Sequence, residues 1–134
     1  MFIKLLIVFA TVPLIELALL IKIGEFIGII PTIIIVGSTG IIGITLARSQ
    51  GYQVIKKIKN KIELGKLPAD DLIGGVLILI GGTMLLTPGI LTDITGFSLI
   101  FPITRSVFVK IAKNKIKKYI ENNRRGIEIW RIWV

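Results

Sequence analysis

The sequence predicts an all-α, multi-pass membrane protein built as two helical hairpins, the second short or re-entrant, together with basic amphipathic helices. Two runs, Phe26 to Ala47 and Leu72 to Thr92, contain no charged residue. Each exceeds the roughly 18 to 20 apolar residues that cross a hydrocarbon core about 30 Å thick. A third run, Leu5 to Ile21, carries one charge, Glu16. The whole chain of 134 residues is 53% hydrophobic, with a mean hydropathy of +0.84. A soluble domain of this size has no interior that needs three such stretches.

The first segment, about residues 5–21, follows Lys4 and could be read as a secretory leader. No small-residue cleavage site follows it, and Glu16 interrupts the apolar stretch, so it reads as a membrane helix. Pro13 lacks a backbone donor and crowds the carbonyl of Phe9, which predicts a kink there. Lys22 to Glu25 reads as a tight connection, and residues 26–47 as the second span, antiparallel to the first.

Between Ser49 and Leu67 the pattern changes. Val54, Ile55, Ile58 and Ile62 recur at helical spacing, with Lys56, Lys57, Lys59 and Lys61 among them. This predicts a separate basic amphipathic helix over about 52–65, lying in the headgroup plane. Gly65 and Pro68 end it. Asp70 and Asp71 then favour the start of the next helix, where carboxylates meet the positive end of the dipole.

Residues 72–104 are too long for one helix and are broken at Thr87-Pro88-Gly89. They read as two short helices, 72–86 and 94–104, with Thr92-Asp93 capping the second. Gly74, Gly75, Gly81 and Gly82 mark a small-residue seam on which another helix could close. Residues 105–134 form a basic cytoplasmic tail, amphipathic over 105–121. It ends in Trp130 and Trp133, which suit a bilayer interface or, equally, docking on a protein partner.

The net charge of +9 is uneven: Arg48 to Asp71 carries +3 and Arg105 to Val134 carries +7, while the rest of the chain sums to −1. Bases that flank apolar spans report topology, and nucleic acid is not an expected partner. By the positive-inside rule both basic segments, and with them both termini, face the cytoplasm. There is no Cys and no His. Thiolate chemistry, disulfides and imidazole metal sites are thereby removed. No catalytic, cofactor-binding or metal-binding residues are singled out, and the chain reads as a non-enzyme.

One run imitates a nucleotide-binding loop. Thr32 to Val36 followed by Gly37-Ser38-Thr39-Gly40-Ile41-Ile42-Gly43 resembles a strand entering a glycine-rich phosphate loop. The acid that would hold a ribose hydroxyl is missing, since Ile55 to Lys61 supplies only Ile, Lys and Asn. Glycines on the face of a membrane helix explain the run better.

The candidate functional or structural residues are Pro13, Glu16, Thr87, Pro88, Gly89, Thr92 and Asp93. Glu16 is the sharpest. A charge near the middle of a membrane helix costs about 2.5–3.5 kcal/mol on insertion scales. It serves either as a proton or cation site or as a hydrogen-bonding anchor. As an anchor its expected partners are the carbonyl freed by Pro13 or a Thr or Ser of the second helix.

Several short motifs occur in a specific order: Pro13-Leu14-Ile15-Glu16, Lys22-Ile23-Gly24, Pro31-Thr32, Arg48-Ser49-Gln50-Gly51, Gly65-Lys66-Leu67-Pro68, Thr87-Pro88-Gly89-Ile90-Leu91-Thr92-Asp93, and Pro102 with Arg105. Together they resemble the FxsA family of small bacterial inner-membrane proteins, the Thr-Pro-Gly-x-x-Thr-Asp element most specifically. The resemblance covers residues 13 to 105 and does not reach the terminus after Gly126. It implies a multi-pass protein of the bacterial cytoplasmic membrane with a basic cytoplasmic tail, and it brings no catalytic residue with it. The function expected is interaction, with anionic lipid headgroups, a membrane-protein partner or a second copy. The alternatives are a small proton-coupled transporter using Glu16 and a holin-like pore former.

Overall fold

The computed structural model describes residues 1–122, and the expectation at Trp130 and Trp133 lies outside them. Five helices follow one another: α1 (Phe2–Ile27), α2 (Ile29–Glu63), α3 (Ala69–Leu86), α4 (Ile90–Ile100) and α5 (Pro102–Asn122). Three of them, α1, α2 and α3, are long and apolar enough to cross a membrane. The α4–α5 pair adds a fourth only if its 82° bend is taken within one span. The multi-pass helical architecture is the one the apolar runs predict.

The first connection differs in place. Lys22 to Glu25 stay helical, and the chain breaks at Gly28, whose φ of 96° lies in the left-handed region open to glycine. The break keeps its hydrogen bonds. Gly28 N donates to the Gly24 carbonyl, and both Thr32 N and Thr32 Oγ1 donate to the Gly28 carbonyl. Pro31 falls in the first turn of α2, where a missing N–H costs nothing.

The second difference is larger. The basic stretch 52–65 is no separate helix but the end of α2, which runs unbroken for 35 residues, about 52 Å. No proline interrupts Arg48 to Glu63, and Lys, Arg, Gln and Glu propagate a helix well. Its inner face is covered by protein: Gln50 and Val54 are buried. Helix α3 returns antiparallel along it. Cβ atoms placed at Gly75, Gly51, Gly82 and Gly43 would touch Val54, Ile78, Ala47 and Leu85 respectively. The chain leaves α2 through Gly65, at φ 68°, and Asp70 and Asp71 stand in the first turn of α3 as expected.

The glycine seam closes inside the molecule and forms two stripes. Gly75 and Gly82 face α2, while Gly74 faces α5 and Gly81 faces α4. The α3–α4 crossing is the tightest: a Cβ at Gly81 would lie 2.7 Å from the Gly96 carbonyl oxygen, and one at Gly96 would lie 2.8 Å from that of Gly81. Small residues permit that approach. Ile100 is the one large side chain sealed completely among the described residues. Helix α1 is sparsely covered, and Glu16 is its only buried residue, while α5 has none.

Helix α4 starts at Ile90, not near residue 94, and ends at Ile100. Its 11 residues rise about 16 Å, half of what a span needs. The tip of the α3–α4 hairpin packs beside Gly40 and Gly43 of α2, well short of the Gly28 turn. Helix α5 is tied back to α3 by Lys113 and Asp70 at 2.9 Å, and the end of α2 by Lys61 and Asp71 at 2.5 Å.

Candidate functional site

The two carboxylates of the apolar region, Glu16 and Asp93, both tie α4 to another helix. Glu16 leaves α1 three residues after Pro13 and is only 5% exposed. Its Oε1 accepts the backbone N–H of Thr92 at 2.6 Å. Thr92 is the third residue of α4, and the residue before that helix is Gly89, which offers no side-chain cap. Glu16 therefore supplies the missing N-cap from another helix. A carboxylate there satisfies an orphan donor and meets the positive end of the helix dipole. Glu16 bonds neither to the carbonyl freed by Pro13 nor to a hydroxyl of α2.

Gly89 is required for this contact. Its φ of −176° is ordinary extended backbone. A Cβ at that position, however, would sit within the Glu16 carboxylate. Thr92 Oγ1 donates to the Gly89 carbonyl at 3.2 Å, and Thr87 Oγ1 to the Met84 carbonyl at 2.7 Å, so the Thr87-Pro88-Gly89 turn ties off its own ends.

Asp93 is not the cap of a helix beginning at 94. It lies in the first turn of α4, with its backbone N–H bonded to the Gly89 carbonyl. Its side chain, 8% exposed, turns to α2, where Oδ2 accepts the hydroxyl of Thr39 at 2.7 Å. Asp93 Oδ1 is buried without a partner among the described residues. Thr39 escapes a reading of the sequence because it is hidden in the glycine-rich run, where nothing marks it among the other small residues.

The other end of α4 is held by a cation. Arg105 Nη1 donates to the Ile100 carbonyl at 3.1 Å and to Gln50 Oε1 at 3.2 Å. Gln50 is 9% exposed. Burial pushes the Arg105 guanidinium below its ordinary range, and the charge of Asp71 opposes that shift in part. A cation at the last carbonyl of a helix complements its negative end. Gln50 and Arg105 belong to the ordered motifs, but sequence alone gave no reason to join them. Of the candidate residues, Glu16, Gly89 and Thr92 meet at one point, and Asp93, next along α4, turns away to Thr39 of α2. Thr87 and Pro88 form the turn beside that point, and Pro13 flanks it one helical turn away along α1.

A cleft of about 600 Å³ opens between α1 and this turn. Val8, Phe9, Val12, Leu20, Met84 and Pro88 line it, and Glu16 is its only charged residue among the described ones. A second cavity, about 320 Å³, lies among α2, α3 and α5, where Lys57, Arg105 and Lys110 face Asp70 and Asp71.

Residues 6–115 match the family described as FxsA cytoplasmic membrane protein. Similar proteins are UPF0716 protein YtzA of Bacillus subtilis, 39% identical over 72% of this chain and 76% of its own length, and UPF0716 protein FxsA of Serratia marcescens, 31% identical over 72% and 70%. UPF0716 protein FxsA of Escherichia coli is 34% identical over 66% of this chain, which spans only 56% of that relative. No solved structure matches.

Proposed function

The chain belongs to the FxsA family of membrane proteins, and from that premise we propose that it acts without catalysis, its basic face engaging anionic lipid headgroups at the cytoplasmic surface. The observation that carries this reading is the arrangement of lysines on a braced support. Lys56, Lys57 and Lys59 are exposed on the end of α2, and Lys110, Lys115 and Lys118 on α5. The ion pairs Lys61–Asp71 and Lys113–Asp70 fix those two helices against α3. Each base held near an anionic leaflet contributes about 1 kcal/mol, screened by salt. In this reading both termini are cytoplasmic, Gly28 lies outside, and the α3–α4 hairpin enters the bilayer from the cytoplasmic side.

The test is lipid co-purification. The full chain, extracted in mild detergent and analysed by native mass spectrometry, is expected to retain phosphatidylglycerol or cardiolipin over phosphatidylcholine. Charge reversal at Lys57 and Lys110 should erase that preference. Equal retention of all three lipids, or a protein adduct in their place, would replace this reading with a partner protein. Proton-coupled transport through Glu16 has weaker support, because Oε1 of that carboxylate is already committed to a backbone donor.

A further inference from the structure

We propose that the cleft between α1 and the Thr87–Thr92 turn binds a protonated amine carried on an apolar body, with Glu16 as its counter-ion. The cleft volume, about 600 Å³, falls within the range of small-molecule sites, roughly 300–1,000 Å³. Its walls are aliphatic and aromatic, from Val8, Phe9, Val12, Leu20 and Met84. The α1 side is exposed along Phe2 to Thr11, so the opening faces the surrounding bilayer. An apolar molecule dissolved in the membrane can enter without crossing water.

The polar groups of the cleft are all acceptors. Thr83, Thr87 and Thr92 each give their hydroxyl proton to a carbonyl of their own segment, at Leu79, Met84 and Gly89. Only lone pairs remain to face a ligand. Glu16 Oε1 holds Thr92 N, while Oε2 has no partner among the described residues and is not one of the atoms sealed from solvent. No Lys or Arg of the described residues lies within ion-pair distance of Glu16.

A carboxylate in this setting is stabilised by a counter-charge. A bare metal ion would leave the apolar walls uncovered. A fatty acid would bring a second negative charge. An acyl chain would fill the volume and leave Oε2 unanswered. An ammonium N–H donor on a hydrocarbon body meets both demands, with a charge-assisted hydrogen bond at one end and dispersion contacts along the other. The anchoring and binding roles of Glu16 use different oxygens and are compatible.

The experiment compares three ligands of one chain length, dodecylamine, dodecanol and dodecanoate, on the full protein in zwitterionic nanodiscs. Wild type is expected to bind the amine about tenfold or more tighter than the alcohol, the value of one charge-assisted bond, and the acid most weakly. Glu16→Gln keeps a carbonyl oxygen for Thr92 N and should remain folded by thermal denaturation. It presents an amide to the cleft and should bind amine and alcohol alike. Val12→Trp, which fills the cleft, should lose both. Equal affinity of the wild type for amine and alcohol, or an amine preference that survives in either folded variant, would overturn the proposal. The wild-type comparison decides the matter even if a variant fails to fold.

Discussion

Glu16 Oε1 and Thr92 N, 76 residues apart in sequence, meet at 2.6 Å. The contact joins α1 to α4, and Arg105 holds the opposite end of α4 through the Ile100 carbonyl. An acid at the N-terminus and a base at the C-terminus complement both poles of the same short helix. Eleven residues make a marginal helix on their own. In an apolar region, where no water can serve its end groups, side chains from other helices take that part.

Removing the acceptor should therefore cost more than removing the charge. Glu16→Gln retains an oxygen for Thr92 N and is expected to unfold near the wild-type temperature. Glu16→Leu strands a buried N–H, a loss of about 1–3 kcal/mol. Thermal unfolding in detergent, followed by circular dichroism, measures both. Equal unfolding temperatures for the two variants would remove the capping role.

Gly89 and Gly37 form a matched pair of controls. A methyl group at Gly37 meets nothing within 4 Å. Gly37→Ala should stabilise α2 by up to about 1 kcal/mol through helix propensity. Gly89→Ala drives its Cβ into the Glu16 carboxylate. It should destabilise by about 1–3 kcal/mol, as an overpacked site does. The double variant with Glu16→Ala should be non-additive because the clash is gone. Strict additivity would mean that the two residues do not touch.

Thr39 and Asp93 make the second tie, from α2 to α4. Thr39→Val leaves the Asp93 carboxylate with no donor, at a cost of about 1–3 kcal/mol. Asp93→Asn keeps an acceptor for the Thr39 hydroxyl and should be milder. Pairing Thr39→Val with Asp93→Leu removes both polar partners and should recover much of the loss, since an apolar pair avoids the stranded group. A double variant less stable than Thr39→Val alone would assign Asp93 some other structural partner.

The helices, their apolar character and the Thr87-Pro88-Gly89 break are legible in the sequence because periodicity and proline act locally. Glu16 is legible as an anomaly, since a lone carboxylate among apolar residues demands an explanation. Its partner is not, because a backbone N–H carries no sequence signature. The same gap misplaces the start of α4: Thr92-Asp93 looks like a cap, whereas the cap arrives from Glu16, 73 residues before the Gly89 position it serves. The 52–65 stretch misleads for another reason. Its apolar stripe is that of an interfacial helix, but the helix simply continues α2, and only Val54 of the stripe is buried, against α3, while Ile55 and Ile62 stay exposed.

The depth of the α3–α4 hairpin yields the sharpest test of topology. Thr39 bonds Asp93 and lies 11 residues after Gly28, about 16 Å along α2. If Gly28 marks the outer face, the turn at Thr87 to Gly89 stops near mid-bilayer and the hairpin is re-entrant. The chain has no cysteine, so a single introduced thiol is unambiguous. A cysteine at Phe26 should react with a membrane-impermeant maleimide added outside intact cells. Cysteines at Lys59 and Lys118 should react only after the membrane is opened. One at Leu86, exposed on the protein surface at the hairpin tip, should resist the reagent from both sides because lipid covers it. Labelling of Leu86→Cys from outside would make α3 a full span. Labelling of Lys118→Cys in intact cells would invert the orientation assigned to the basic face, and the headgroup reading of its lysines would then have to be given up for the cytoplasmic leaflet.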